Sequence, residues 1–572
     1  VTKDNAVAAP AAVAVRFWEV WLLVGLLVAL AAVLASLARK TGVTIDEPSH
    51  LLSAHLYWKG ADTLQPGDMP PMIKIAGGWV SHLFELPVPY EHPEWPKQRE
   101  WELAQAMMER LRAPALQQIF FYSRLPMIVF PLLTCVTLWL WARRLFSRRT
   151  AMVLALLFCL SPTVLAHGAL FKNDMAASFG YLLFWYRAWM YWQAPSGRNA
   201  LWLGVSLFVA ILAKMSLLIL LVVVPAILAA RYIAPPRRGW RLAAADAAVI
   251  LLVVYVGTCA AWQFQVDQAS SIEVEQWRES LPVARWASAP MAALSLIPTP
   301  SRLRQGALSL LESNAQGAGV YLLGNVYPEG HLLYFVVAIG TKVPLPLQIL
   351  TLTSLLLLAA DCARRKLCNS DLLWLIPPLL YLALASVSSL QLGVRLILPS
   401  LVFLLLWSGR ATEFLLSRRG TAAAGMILAA WLGVRTAWVY PNYIAYFNTL
   451  AGGSHDGLRY LSDSNLDWGQ DLPALAEYLE THPIGKVRLA YFGTDNPAAH
   501  LPEQRYEQIA PPWSDHLVSG PRIEPSPGYY AISATLLTGQ LFEPRYRDYF
   551  RVFRESTPVA KAGYSIFVYR VQ

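Results

Sequence analysis

The stretch FWEVWLLVGLLVALAAVLASLARKTGVTIDEPSHLLSAHLYW, residues 17–58, decides how the rest of the chain is read. Its first part, Phe17 to Ala38, is an apolar run long enough to cross the roughly 30 Å hydrocarbon core of a bilayer. It is too long and too apolar for a secretory h-region, and no A-x-A-like cleavage site follows it, so it reads as a membrane span. Just beyond it stand two adjacent carboxylates, Asp46 and Glu47, with His50 and His55 on the next turns. Charged groups at a membrane edge are costly to hold without a partner or a task.

Composition supports the same class. The 572-residue chain is 56% hydrophobic and only 15% charged, a balance that a soluble chain of this length does not keep. Its net charge of +10 would suit a nucleic-acid partner, but the arginines gather in short loops between apolar runs. That pattern orients a membrane protein and gives no support to nucleic-acid binding. Starting at Val1 rather than Met, the chain reads as one whose first residues were trimmed. Of its cysteines, Cys135, Cys159 and Cys259 lie in apolar runs, and Cys362 and Cys368 in a basic loop. None stands in the long polar regions, so no disulfide framework is available there, and the spacing does not suit zinc.

Apolar runs place spans near 17–38, 117–142, 150–168, 174–193, 200–213, 215–231, 241–264, 332–360, 371–388, 394–409 and 421–440. The 200–231 run is read as two spans because of charge. Arg143, Arg144, Arg148 and Arg149, then Arg231, Arg237, Arg238 and Arg241, then Arg364, Arg365 and Lys366, then Arg410, Arg418 and Arg419 all face the cytoplasm only if the chain breaks near Ala213–Lys214. Eleven crossings follow, with the N-terminus cytoplasmic and residues 39–116, 265–331 and 441–572 outside. The first outer region has amphipathic stretches at 71–86 and 101–116 that suit helices lying in the interface.

After Pro441 the chain turns polar, with strand-like runs at 486–492, 529–533 and 564–571 and a helix-like run at 472–480. The expected fold is therefore a mainly α membrane protein of about eleven transmembrane helices with outer-face amphipathic helices. A membrane domain occupies 1–440 and a small C-terminal α/β extracytoplasmic domain 441–572. No solenoid or inverted-transporter repeat is evident.

Asp46 and Glu47 offer a general base for a hydroxyl or amine nucleophile. With His50 and His55 they also have the ligand types of a divalent metal site. The competing reading is a helix start, with acids favouring the macrodipole and Pro48 in the first turn. Asp174, in HGALFKNDMAASFGYLL, opens a later span at the same outer edge, where Asn173 or Asp174 also suits a cap. Lys214, Lys342 and Arg395 stand at similar depth, suited to snorkelling or to a phosphate group. Lys342 precedes Pro344 and Pro346, which predicts a broken helix exposing backbone to a cavity. The string from Asp463 to Asp471 has spaced acids but Trp468 where a calcium loop needs Gly, so it reads as turn and cap chemistry.

The order of these features resembles the C-type glycosyltransferase superfamily, most of all the bacterial relatives of the protein O-mannosyltransferases and lipid A aminoarabinose transferase. It rests on Asp46-Glu47 after the first span, Pro70-Pro71 with Lys74, Asn173-Asp174-Met175, Lys214, Lys342-Val343-Pro344-Leu345-Pro346, and Arg395 with Pro399. The SNLDWGQDLP string at 464–473 also looks like a feature of some bacterial members. The resemblance spans about residues 17–440. It implies transfer of a sugar from a polyprenyl-phosphate donor to a glycan, lipid or protein acceptor at the outer face of a bacterial inner membrane.

Asp46 would then be the base, Glu47 would assist or orient it, and Asp174 would position the acceptor. Lys74, Lys342 and Arg395 would hold the donor phosphate. Direct attack would invert the anomeric centre. The resemblance requires no cofactor, although related oligosaccharyltransferases use a metal, for which His50 and His55 are the nearby ligands. The chain departs from several relatives at Pro48, Ser49 and His50, where they have Arg or Tyr. A transporter or flippase, or an oligosaccharide ligase, for lipid-linked saccharides is the alternative.

Overall fold

A computed structural model describes residues 16–65, 69–234, 239–280, 297–512, 518 and 520–572. Arg237 and Arg238, and residues 281–296 of the second long outer region, lie outside them. The fold is mainly helical. Eight helices among the described residues are long and apolar enough to cross a bilayer: Phe17–Lys40, Ala115–Leu145, Met215–Ile233, Trp240–Ala261, Leu345–Ala363, Asn369–Val387, Val394–Leu416 and Arg419–Val439.

Three of the expected eleven spans are not among these eight. The 150–168 run is divided at Ser161 and Pro162 into Arg148–Cys159 and Pro162–His167, since proline cannot donate the hydrogen bond that would continue the helix. Gly197–Ala213 has 17 residues, about 25 Å of helix, short of the hydrocarbon core. Asp174–Gln193 is helical along the whole expected span but carries several Tyr and Trp residues and an Arg, and most of it is buried against other helices. Its polar and aromatic content serves protein packing more than lipid contact.

Two helix breaks are legible in the sequence. The first leaves Lys214 extended (φ −159°, ψ 135°) between Ala213 and Met215. The second separates Tyr334–Lys342 from Leu345–Ala363 at Val343-Pro344. The expectation that this second break opens backbone groups to a cavity is not met. Gln348 Nε2 donates to the carbonyls of Ile339, Gly340 and Val343 at 3.3, 3.0 and 2.8 Å. Asn448 Nδ2 donates to Gly340 and Val343 at 2.7 and 2.9 Å. Two side-chain amides thus both plug the Gly340 and Val343 carbonyls at the break.

Between the first and second spans, Glu47–Trp58 is buried on every residue except Trp58. The amphipathic stretches are shorter than expected. The first is α-helical over Pro71–Gly77 and tightens into a 3₁₀ turn over Gly78–His82, and the second ends at Arg110 with Leu111 extended.

Residues after Pro441 build a five-stranded sheet. Its strands are β1 (Val487–Ala490), β2 (Tyr506–Gln508), β3 (Gly528–Ser533), β4 (Ala560–Ala562) and β5 (Ile566–Val571), in the order β2-β1-β3-β5-β4. β1 runs parallel to β2 and β3, and β5 is antiparallel to β3 and β4. Alternation of side chains gives the sheet two apolar faces. Ala531, Ile566 and Val568 pack with Leu472, Leu475 and Leu479 of the helix Leu472–Thr481. Tyr530, Ile532, Phe567 and Tyr569 belong instead to the core that continues into the membrane spans. The C-terminal region is therefore packed onto the spans rather than tethered beside them.

Candidate functional site

Asp46 precedes the helix that Glu47 opens, and its side chain makes no capping hydrogen bond; nor does that of Asn173 before Asp174. Helix capping thus does not account for either acid. The two neighbours at 46 and 47 have different surroundings. Glu47 is fully buried and saturated. Arg124 grips it with Nε at 2.7 Å and Nη2 at 2.6 Å, and Thr44 N, Thr44 Oγ1 and Phe171 N donate at 2.8, 3.0 and 2.8 Å. The rest of the Arg124 guanidinium donates to the carbonyls of Ala38, Thr41 and Gly42. Burial raises the Glu47 carboxyl, and Arg124 more than offsets it, leaving it below its ordinary value.

Asp46 meets cations instead. Lys172 forms an ion pair with its Oδ2, and Arg395 Nη2 stands 3.5 Å from the same oxygen. Burial would raise this carboxyl, but Lys172 and Arg395 outweigh it and hold it at about 2. Arg395 reaches with Nη1 to Asp174 Oδ2 at 3.7 Å, while Lys214 Nζ takes Asp174 Oδ1 at 2.7 Å. Asp174 Oδ2 is buried and has no hydrogen-bond partner. Asp46, Asp174 and Arg395 therefore converge from three segments far apart in sequence. Lys214 reaches Asp174 because the helix break at 214 turns it inward.

Other expected residues stand elsewhere. Lys74 Nζ is committed to both oxygens of Asp62 at 2.9 and 2.8 Å. Lys342 donates to the carbonyls of Ile444, at 2.8 Å, and Asn465, and lies 4.4 Å from the Phe447 ring centre. Its ammonium secures backbone of the C-terminal region and is not open to a phosphate. His50 Nε2 faces Lys172 Nζ at 2.9 Å, and burial followed by the Lys172 charge pushes the imidazole well below its ordinary value. Its Nε2 is therefore placed to accept a hydrogen bond from the Lys172 ammonium. His55 is depressed by burial and then by Lys59. Among the described residues no three His, Cys, Asp or Glu side chains gather as a metal ion needs, so the metal expectation at His50 and His55 finds no support.

Two contributors, Arg124 and Lys172, were not singled out from sequence, and Trp468 was noted only as a departure from a calcium loop. Trp468 belongs to the 462–471 turn. Burial is the leading cause that raises Asp463 to about 6, Asp467 to about 7 and Asp471 well above the usual carboxylate range. Their oxygens accept from Gln540, from Thr535 N and Gly469 N, and from Ser565 N. The Trp468 ring lies 4.5 Å from the Arg395 guanidinium carbon and 5.7 Å from Lys172 Nζ. A cavity of about 640 Å³ opens beside this turn, lined by Lys40, Tyr443, Asp471, Glu477, Tyr478 and Lys561 among others. Asp46 does not line it and is itself buried.

Residues 116–262 match the family model described as dolichyl-phosphate-mannose-protein mannosyltransferase. The glycosyltransferase resemblance read from the sequence holds over that segment. No protein of curated function matches the chain. Among solved structures, ArnT from Cupriavidus metallidurans bound to undecaprenyl phosphate is similar at 14% identity and a TM-score of 0.44, covering 97% of this chain and 98% of that one. The Archaeoglobus fulgidus oligosaccharyltransferase in complex with zinc and sulfate is similar at 12% identity and a TM-score of 0.40, covering 90% and 68%.

Proposed function

We propose that this chain is an integral-membrane glycosyltransferase that moves a sugar from a polyprenyl-phosphate donor to an acceptor at the extracytoplasmic face of a bacterial inner membrane. The observation that carries the reading is the convergence of Asp46 and Asp174 on Arg395. A carboxylate that can take a proton, a second that can orient the acceptor, and a cation that can hold a phosphate are the groups such a displacement needs. The family match over residues 116–262 supports the reaction class.

Asp46 accepts the proton of the acceptor as its oxygen or nitrogen attacks the anomeric carbon, and the bond from that carbon to the phosphate oxygen breaks with inversion. Asp174 orients the acceptor through Oδ2, which has no hydrogen-bond partner. Since Lys74 and Lys342 are committed to Asp62 and to carbonyls, Arg395 and Lys172 are the better phosphate partners. This assignment also answers why a carboxyl held at about 2 can serve as a base. A phosphate that draws Lys172 and Arg395 toward itself removes the charges that depress Asp46, so donor binding raises its proton affinity.

The test is transfer by the purified full chain from radiolabelled polyprenyl-phosphate sugars to a membrane extract. Asp46→Asn is expected to lower transfer about 10³-fold in a protein that still folds, with an unfolding temperature lowered only by the loss of the carboxylate's own ion pairs. Full transfer by that variant would end the assignment.

A further inference from the structure

The loop that bears Asp46 and the loop that bears Arg395 are both fastened to one turn of the C-terminal region. On the Asp46 side, Gly42 N donates to the Gln470 carbonyl and Ile45 N to the Trp468 carbonyl, both at 3.0 Å. Thr494 Oγ1 donates to the Ile45 carbonyl at 2.9 Å, and Val43 N reaches Asp495 Oδ2 at 3.3 Å. The approach is close enough that a Cβ on Gly42 would stand 2.5 Å from the Gln470 carbonyl oxygen. On the Arg395 side, Arg395 Nε donates to Ser464 Oγ at 3.1 Å, and Val394 N to Asn465 Oδ1 at 2.9 Å. Ser464 Oγ in turn donates to the Leu392 carbonyl.

Between these two fastenings lies Trp468, fully buried, with its ring beneath both cations that face Asp46. The edge of His167 meets the same ring system at 6.0 Å. An indole face attracts a cation most strongly where water is excluded. One side chain therefore sets the depth of Arg395 and Lys172 together, while the backbone on either side of it sets the Asp46 loop.

We propose that residues 462–471 complete the catalytic centre and that Trp468 is a positioning residue, holding Arg395 and Lys172 at their places opposite Asp46. The C-terminal region is then a part of the active site. The role of Trp468 in turnover rests on the glycosyltransferase reading; its grip on the two cations does not.

The experiment uses the full chain in native membranes with Trp468→Leu, which keeps apolar bulk and loses the π face, and Trp468→Phe, which keeps a π face. A 1,2-dicarbonyl reagent that labels arginine is applied, and modification of Arg395 is read by peptide mass spectrometry. Labelling is expected to rise several-fold in Trp468→Leu and to stay near wild type in Trp468→Phe. Transfer should fall about 10-fold in kcat for the Leu variant and less than about 3-fold for the Phe variant. The acid limb of its pH profile should also shift upward in the Leu variant alone.

Ser464→Ala, which removes the Arg395 Nε acceptor and the donation to the Leu392 carbonyl but leaves the Trp468 ring in place, should raise labelling in the same direction and covers the case in which Trp468→Leu does not fold. Unchanged labelling in Trp468→Leu, or equal labelling in the Leu and Phe variants, overturns the positioning role, as does unchanged labelling in Ser464→Ala if the Leu variant does not fold. Wild-type chain that transfers no sugar overturns the function proposed above but leaves the labelling result to decide this one.

Discussion

Asp46 and Glu47 are adjacent in sequence and separate in purpose. Glu47 accepts five hydrogen bonds from Arg124, Thr44 and Phe171 and has no lone pair to spare for chemistry. Asp46 is held by two side-chain cations whose partners can be exchanged for a ligand. The fixed pair also serves the movable one: by taking Phe171 N, Glu47 places the next residue, Lys172, against Asp46. Two identical charges at one membrane edge thus divide into a joint and a working group, and saturation by hydrogen bonds is what tells them apart.

The largest expected effect lies on the Glu47 side. Arg124→Met leaves a buried carboxylate without its counter-charge, a loss of about 3–5 kcal/mol. It should appear as poor yield and a lowered unfolding temperature in detergent, in contrast with the folded Asp46→Asn protein. An Arg124→Met protein as stable as wild type would break the division between joint and working group.

Next comes Lys172→Met. Asp46 below its ordinary value is ionised at all but the lowest pH, so the free enzyme's acid limb in kcat/KM should lie well below pH 4, toward 2. Removing Lys172 lets the carboxyl rise, so that limb should move up by a unit or more, and the donor KM should rise about 10-fold. An unmoved acid limb would separate Lys172 from Asp46. The stability that Asp46 adds is present above its ordinary value near 3.8 and is lost as pH falls through about 2.

Lys74→Met should raise the donor KM less than Lys172→Met does, because Asp62 already claims that ammonium; a larger rise would return the phosphate to Lys74. The smallest effect concerns the buried acids of the 462–471 turn. Asp463 and Asp467 are raised, so the stability they favour is present at low pH and is lost as pH rises through about 6 and 7. Thermal unfolding in detergent should fall by a few degrees between pH 5 and pH 8, and a rise would reverse the assigned burial.

Much of the frame was legible. Lys214 and the Pro344-Pro346 pair marked the helix breaks, and alternation marked β1, β3 and β5, because each is a local property of a few residues. Spans were harder to count, since Asp174–Gln193 is buried in protein and its hydropathy no longer reports lipid. The site was legible only as a set of acids and cations. Which cation meets which acid depends on tertiary approach: Lys342 and Lys214 look alike in sequence, yet one serves backbone carbonyls and the other Asp174. Short β2 and β4 carried too little pattern to show.

The fastening of the Asp46 loop has a consequence for biosynthesis. Val43 and Thr494 take partners 452 and 449 residues away along the chain. A ribosome adds about 5–20 residues per second, so the first loop waits tens of seconds for the turns that lock it. Every intermediate in membrane insertion therefore carries Asp46 in an unfinished loop, and a chain that stops before the 462–471 turn has its acids made but not arranged. Residues made late thus act as the inspection step for residues made early.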